Sequence, residues 1–114
     1  MLSLTNSLKA IGSALNEALP GITYHYFRPA NKYPVCVWQE DGEATSFYAE
    51  GLKEEQAISG TIDYFTKKEY DPNIDLIQDT LSNLPLTWLI RSVQYEDATK
   101  LIHYEWQWET RING

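Results

Sequence analysis

Two histidines, three adjacent carboxylate pairs and one cysteine are the residues of this 114-residue chain whose types could carry chemistry. His25 and His103 each sit between aromatic neighbours on stretches of high β-propensity, so both could point to the same face of a sheet. Two imidazoles without a third ligand at a suitable spacing make a poor transition-metal site, and no metal is expected. The pairs Glu40/Asp41, Glu54/Glu55 and Glu96/Asp97 fall in polar stretches or at strand ends. None has the apolar surround that lifts a carboxyl pKa into the range useful for general acid catalysis. Cys36 lies in the apolar run Pro34-Val35-Cys36-Val37-Trp38, with no neighbouring cation to favour a thiolate. It reads as a small core residue rather than a nucleophile. A glycine-rich phosphate cradle and a nucleophile elbow are both missing. The residues therefore point away from an enzyme, and no cofactor is expected.

Aromatic side chains are the more informative population: the chain has four Trp, eight Tyr and three Phe. Eight tyrosines cannot all be deeply buried in so small a fold. They either cover both faces of a twisted sheet or mark a protein interface, where a large ring orders at low entropic cost. Nucleic acid is a poor partner for them, because stacking on bases wants interleaved cations and only Arg28, Lys32, Lys67 and Lys68 are near candidates. The formal net charge of −7 argues the same way, since gripping phosphate takes clustered Lys and Arg. A single cysteine excludes an internal disulfide and suits a reducing compartment. No window approaches the ~20 apolar residues of a membrane span, and no leader peptide is expected.

The elements that must position these residues follow from periodicity. The length suits one domain, residues 1–114. Leu4, Leu8, Ile11, Leu15 and Leu19 form the apolar stripe of a helix that Ser3 or Thr5 can cap and Pro20-Gly21 ends. Thr23 to Arg28 predicts a first strand and Tyr33 to Gln39 a second, most economically joined as a hairpin. From Glu40 to Lys53 the pattern fails, and a long loop carrying Phe47 and Tyr48 is expected. Gln56 to Thr66 alternates as a third strand, with Gly60 leaving room for a neighbouring aromatic. Asp71-Pro72 starts a second helix, with Ile74, Ile77, Leu81 and Leu84 on its stripe.

The last third organises the rest. Ile102, Tyr104, Trp106, Trp108 and Ile112 fall on one side of a strand, interrupted only by Thr110. Upstream, Leu86, Trp88 and Ile90 alternate, and after Ser92 the apolar phase passes to Val93 and Tyr95, which predicts a bulge near Arg91–Ser92. The two strands make a long hairpin around Glu96-Asp97-Ala98-Thr99. The expected fold class is α+β: a mostly antiparallel sheet of about five strands with two helices packed on one face.

The succession Tyr33-Pro34-Val35-Cys36-Val37-Trp38, a polar stretch, Thr61-Ile62-Asp63-Tyr64-Phe65-Thr66-Lys67-Lys68, Asp71-Pro72, Ser92-Val93-Gln94-Tyr95-Glu96 and Leu101-Ile102-His103-Tyr104-Glu105-Trp106 resembles the tail-completion proteins of long-tailed phages and prophages of Gram-positive bacteria. The plan is similar to that of tail terminators and covers nearly the whole chain. The resemblance implies a structural virion protein of the tail or neck, assembled in the bacterial cytoplasm. It implies a self-associating ring, usually a hexamer, that caps the tube of major tail protein and joins it to the head connector. DNA would pass through such a ring without tight binding, and an acidic lumen would help it slide. The family supplies no catalytic residues. From this sequence, Phe47, Tyr48, Glu50, Tyr26 and Arg28 are the candidate subunit or tail-tube contacts. Two other classes stay open: an acidic inhibitor or DNA mimic, and a small-ligand domain with a pocket lined by Trp88, Trp106 and Trp108.

Overall fold

The computed structural model describes residues 3–49 and 52–113, with the side chains of residues 45–49, 52–55 and 113 outside the description. Its elements are α1 (Leu4–Ala18), β1 (Thr23–His25), β2 (Val35–Ala49), β3 (Leu52–Thr66), α2 (Asn73–Ser82), β4 (Leu86–Glu96) and β5 (Leu101–Asn113). The strands form one sheet in the order β1-β2-β3-β5-β4, antiparallel except for the β1–β2 pair. The α+β class and the pairing of two helices with five strands agree with the sequence.

α1 turns its leucine stripe to the sheet, burying Ile11 and Leu15, and Leu19 just past its end. Ser3 caps it by accepting the Asn6 amide. At the other end, the Thr23 hydroxyl donates to the Leu19 carbonyl at 2.8 Å. A Cβ at Gly12 would come within 2.7 Å of the Trp38 ring, so glycine lets α1 lie directly on that indole. α2 starts where expected: the Asp71 carboxylate accepts the Asn73 amide at 2.9 Å, as a capping side chain does.

Between helices and sheet lies one apolar core. Ile11, Leu15, Leu19, Ile77 and Leu81 meet Trp38, Ile58, Ile62, Tyr64, Trp106, Trp108 and Ile112. Two of its three indoles have partners for their N–H groups: Trp106 donates to the Gln78 amide oxygen and Trp108 to the Thr61 carbonyl. Gly60 stands opposite Trp108 in the register, and a Cβ there would overlap the indole and the Gln39 carbonyl. The gap read from the sequence is filled by that ring. Thr110, the polar interruption of the apolar row, is buried and donates to the Pro85 carbonyl at 2.9 Å, which removes the cost of hiding its hydroxyl. The bulge falls between Ile90 and Ser92, as the phase change predicts.

Three expectations are corrected. The segment Glu40 to Lys53 is not a long loop: β2 continues to Ala49 and β3 begins at Leu52, with Ala49 and Leu52 paired. Register shifts between Glu40 and Gly42, Glu43 and Thr45, and Phe47 and Tyr48 break the alternation that reveals a strand. The first two strands are not a hairpin: β1 runs parallel to β2. β1 has only three residues, ending at His25 rather than Arg28, so the return segment can bring the chain back beside it. Positive φ at Tyr26 (69°) and Asn31 (57°) reverses its direction. Finally, the histidines face opposite ways. His25 stacks on Trp38 on the helix side, whereas His103 stacks on Phe65 on the other.

Candidate functional site

Most of the interior is explained by packing, which leaves three surface arrangements. The first lies at the end of the sheet where β2 begins and β3 stops. Phe65 and His103 are cross-strand partners, and their rings stack with centroids 4.2 Å apart. His103 Nε2 pairs with the Asp63 carboxylate at 2.6 Å. Over Phe65 lies the Arg28 guanidinium, 3.8 Å from the ring centroid, and it donates to the Tyr33 hydroxyl at 2.9 Å. The Lys67 ammonium sits 5.9 Å from the Tyr33 ring centroid. Cations and rings thus alternate across the far face of the sheet.

The second arrangement ties the segment after β1 to β2. His25 is sandwiched between Trp38 and Tyr26, each ring pair having centroids 3.8 Å apart. Glu40 accepts from the Tyr26 hydroxyl at 2.5 Å and pairs with His25 Nε2 at 2.7 Å. Burial pushes the Glu40 carboxyl up, but the hydrogen bonds from Tyr26 and His25 outweigh it and hold it below the usual range. The hydrogen bond to Glu40 raises the Tyr26 phenol, aided by burial and the carboxylate charge. A phenol kept protonated is no nucleophile, so the trio acts as a clamp. An open cleft of about 290 Å³ lies beside it, lined by Thr5, Leu8, Lys9, Gly12, His25 and Trp38.

The third is the outer strand. β4 lies at the sheet margin, and Leu89, Ile90, Val93 and Tyr95 on it are exposed. An unpaired apolar edge is a docking surface or an aggregation liability.

A polar hub beneath α2 is structural. Asp71 is buried and accepts from Tyr64 at 2.6 Å, Thr66 at 2.7 Å and the Asn73 amide, while the Asn73 side chain donates to the Tyr64 hydroxyl. Burial pushes the Asp71 carboxyl up, yet these donors together hold it below its ordinary value. Burial and the Asp71 hydrogen bond raise the Tyr64 phenol. Burial likewise pushes the Cys36 thiol up to about 12, which fits an inert core residue. Among the described residues, no group of three or more His, Cys, Asp or Glu side chains could hold a metal. No described helix is long and apolar enough to cross a membrane.

The candidate contacts do not form one site. Tyr26 and Arg28 fall in the segment after β1, in the clamp and the cation–ring array respectively. Phe47 and Tyr48 lie on β2 near its far end, with side chains outside the described residues, and Glu50 lies outside them altogether. Tyr33, Phe65 and Lys67 were not singled out as contacts. Their meeting depends on the Val35–Phe65 register, which no local pattern encodes. Among the described residues Trp88, Trp106 and Trp108 do not line one pocket together: Trp106 and Trp108 are buried in the core, Trp88 is half-buried, and a cleft borders Trp88 and Trp108 without Trp106.

No protein-family model matches the chain, and no curated protein does. Among solved structures, a chain from "Virion of native gene transfer agent (GTA) particle" has the same fold. The TM-score is 0.55 at 10% identity, with 96% of this chain and 90% of that chain aligned. At this identity the likeness is one of fold.

Proposed function

We propose that the chain is a structural component of a phage-like particle, a tail-completion or tail-terminator subunit. In this role it forms a ring on the end of the tail tube and joins it to the head connector. The observation that carries the reading is the end-to-end match to a chain of a gene transfer agent virion. The sequence resemblance to tail-completion proteins points to the same class independently. The physical features fit: a net charge of −7 lets DNA pass without being held, and the bare margin of β4 needs a protein neighbour. The proposed partners are further copies of this chain, the major tail protein and the head-closure protein, with no cofactor.

Deleting the gene in the particle-producing cell tests this. Electron microscopy of the lysate should show filled heads and unjoined tails of uncontrolled length, with complementation restoring whole particles. Normal, joined particles from the deletion strain would refute the assignment.

A further inference from the structure

Tyr70 is the most exposed of the large apolar side chains described, at 87%. Among the described residues its ring stacks on nothing and its hydroxyl has no hydrogen bond. The backbone holds it out. φ at Tyr70 is 57°, a left-handed conformation that residues other than glycine rarely take. Both flanks enforce it. The Thr66 hydroxyl donates to the buried Asp71 carboxylate at 2.7 Å and accepts from the Lys68 amide at 3.1 Å, which closes the turn. Asp71 in turn caps α2 through the Asn73 amide. Packing within the monomer gives no reason for a strained, pinned backbone that presents a bare ring. An interface anchor needs that arrangement, because its position is then fixed before a partner arrives.

The same molecule carries a recess for such a ring. The cleft of about 290 Å³ between α1 and the β1–β2 margin has Leu8, Gly12 and Trp38 as apolar walls and His25 at its side. That volume lies at the bottom of the range of small-molecule pockets, about 300–1,000 Å³, and suits one aromatic side chain better than a larger ligand. Charge matches as well. Lys9 lines the cleft, and Glu69 precedes Tyr70 in the chain. Among the described residues neither is in an ion pair.

We infer that Tyr70 of one copy of this chain inserts into the cleft at Leu8, Lys9 and Trp38 of a second copy. The inference rests on the ring reading and names its subunit contact. The knob stands at the start of α2 and the recess beside α1, so the two surfaces differ. Such a contact is heterologous and propagates from copy to copy, as ring closure requires. Glu69 reaching Lys9 sets its orientation.

The test uses the full-length chain, concentrated until it self-associates. With a photoreactive benzophenone side chain in place of Tyr70 and two isotope labels mixed, irradiation should join position 70 to Thr5, Leu8 or Lys9 of a differently labelled copy. Tyr70→Asn keeps a residue that tolerates the left-handed backbone. It should fold normally and self-associate about tenfold more weakly or worse, the scale of a truncated aromatic anchor. Lys9→Glu and Glu69→Lys should each weaken self-association alone, and an equimolar mixture of the two should recover it, because every contact in an alternating ring again pairs opposite charges. A chain that stays monomeric however concentrated, links formed only elsewhere, or Tyr70→Asn assembling as the unmodified chain does would overturn the contact while leaving the virion reading to the deletion experiment. On tail tubes, a link from position 70 to the major tail protein alone would also overturn it, giving the knob to the tube. Self-association through these residues in a chain whose deletion leaves particles normal would keep the contact and sink the virion reading.

Discussion

The two strands of the last hairpin share one alternation but have different fates. β5 lies between β3 and β4 under the helices, and Trp106 is 0% exposed. Its direct partner on β4, Ile90, is 44% exposed, and Tyr95, opposite Ile102, is 56% exposed. Both strands carry apolar residues on the helix side of the sheet. Alternation fixes which face a side chain takes, while burial depends on what covers that face. α1 and α2 cover the middle of the sheet, and the outer strand extends beyond their shelter. Leu86 and Trp88 at the start of β4 pack against the core, whereas Ile90, Val93 and Tyr95 are surplus to it and available to a neighbour.

Stability measurements can break or sharpen this contrast. Trp106→Ala should destabilise the fold by about 3–5 kcal/mol, because it removes a buried ring and its hydrogen bond to Gln78 and leaves a cavity. A urea midpoint that hardly moves would show that β5 is no better packed than β4.

Asp71→Asn should cost about 1–3 kcal/mol near neutral pH, since an amide cannot accept from Tyr64, Thr66 and Asn73 as a carboxylate does. The sign with pH follows from the lowered Asp71 value. A carboxyl whose folded pKa lies below its unfolded value, about 3.9 for Asp, contributes fully above the latter. It loses that contribution as pH falls through the folded value. Unfolding monitored from pH 6 down to pH 2 should therefore show an acid loss in the unmodified chain that is smaller in Asp71→Asn.

At the small end, Val93→Ser should change monomer stability by no more than about 0.5 kcal/mol, as for other exposed positions. A loss comparable to that of Trp106→Ala would mean that β4 belongs to the monomer's own core.

Much of this architecture is legible in the sequence because period-2 and period-3.6 patterns encode faces directly. The Leu4–Leu19 stripe, the Trp106/Trp108 row, the Arg91–Ser92 bulge and the Gly60 gap all carry local signals. The distal β2–β3 ribbon does not. Three register shifts scramble its alternation, and its pairing rests on backbone hydrogen bonds that any polar sequence can make. The parallel β1 is hidden for a different reason: a three-residue strand has no period to read. The candidate contacts were legible only as residue types. That Arg28 lies over Phe65 beside Tyr33, far from the Ala49–Leu52 pair, follows from register and chain length rather than spacing.

Imaging tail tubes incubated with the purified chain tests the central claim most directly. The account predicts cyclic density at one end of each tube, with one copy of this fold per repeat and further tube growth arrested. Tubes that keep growing with bare ends, or that carry the protein scattered along their length, would contradict it.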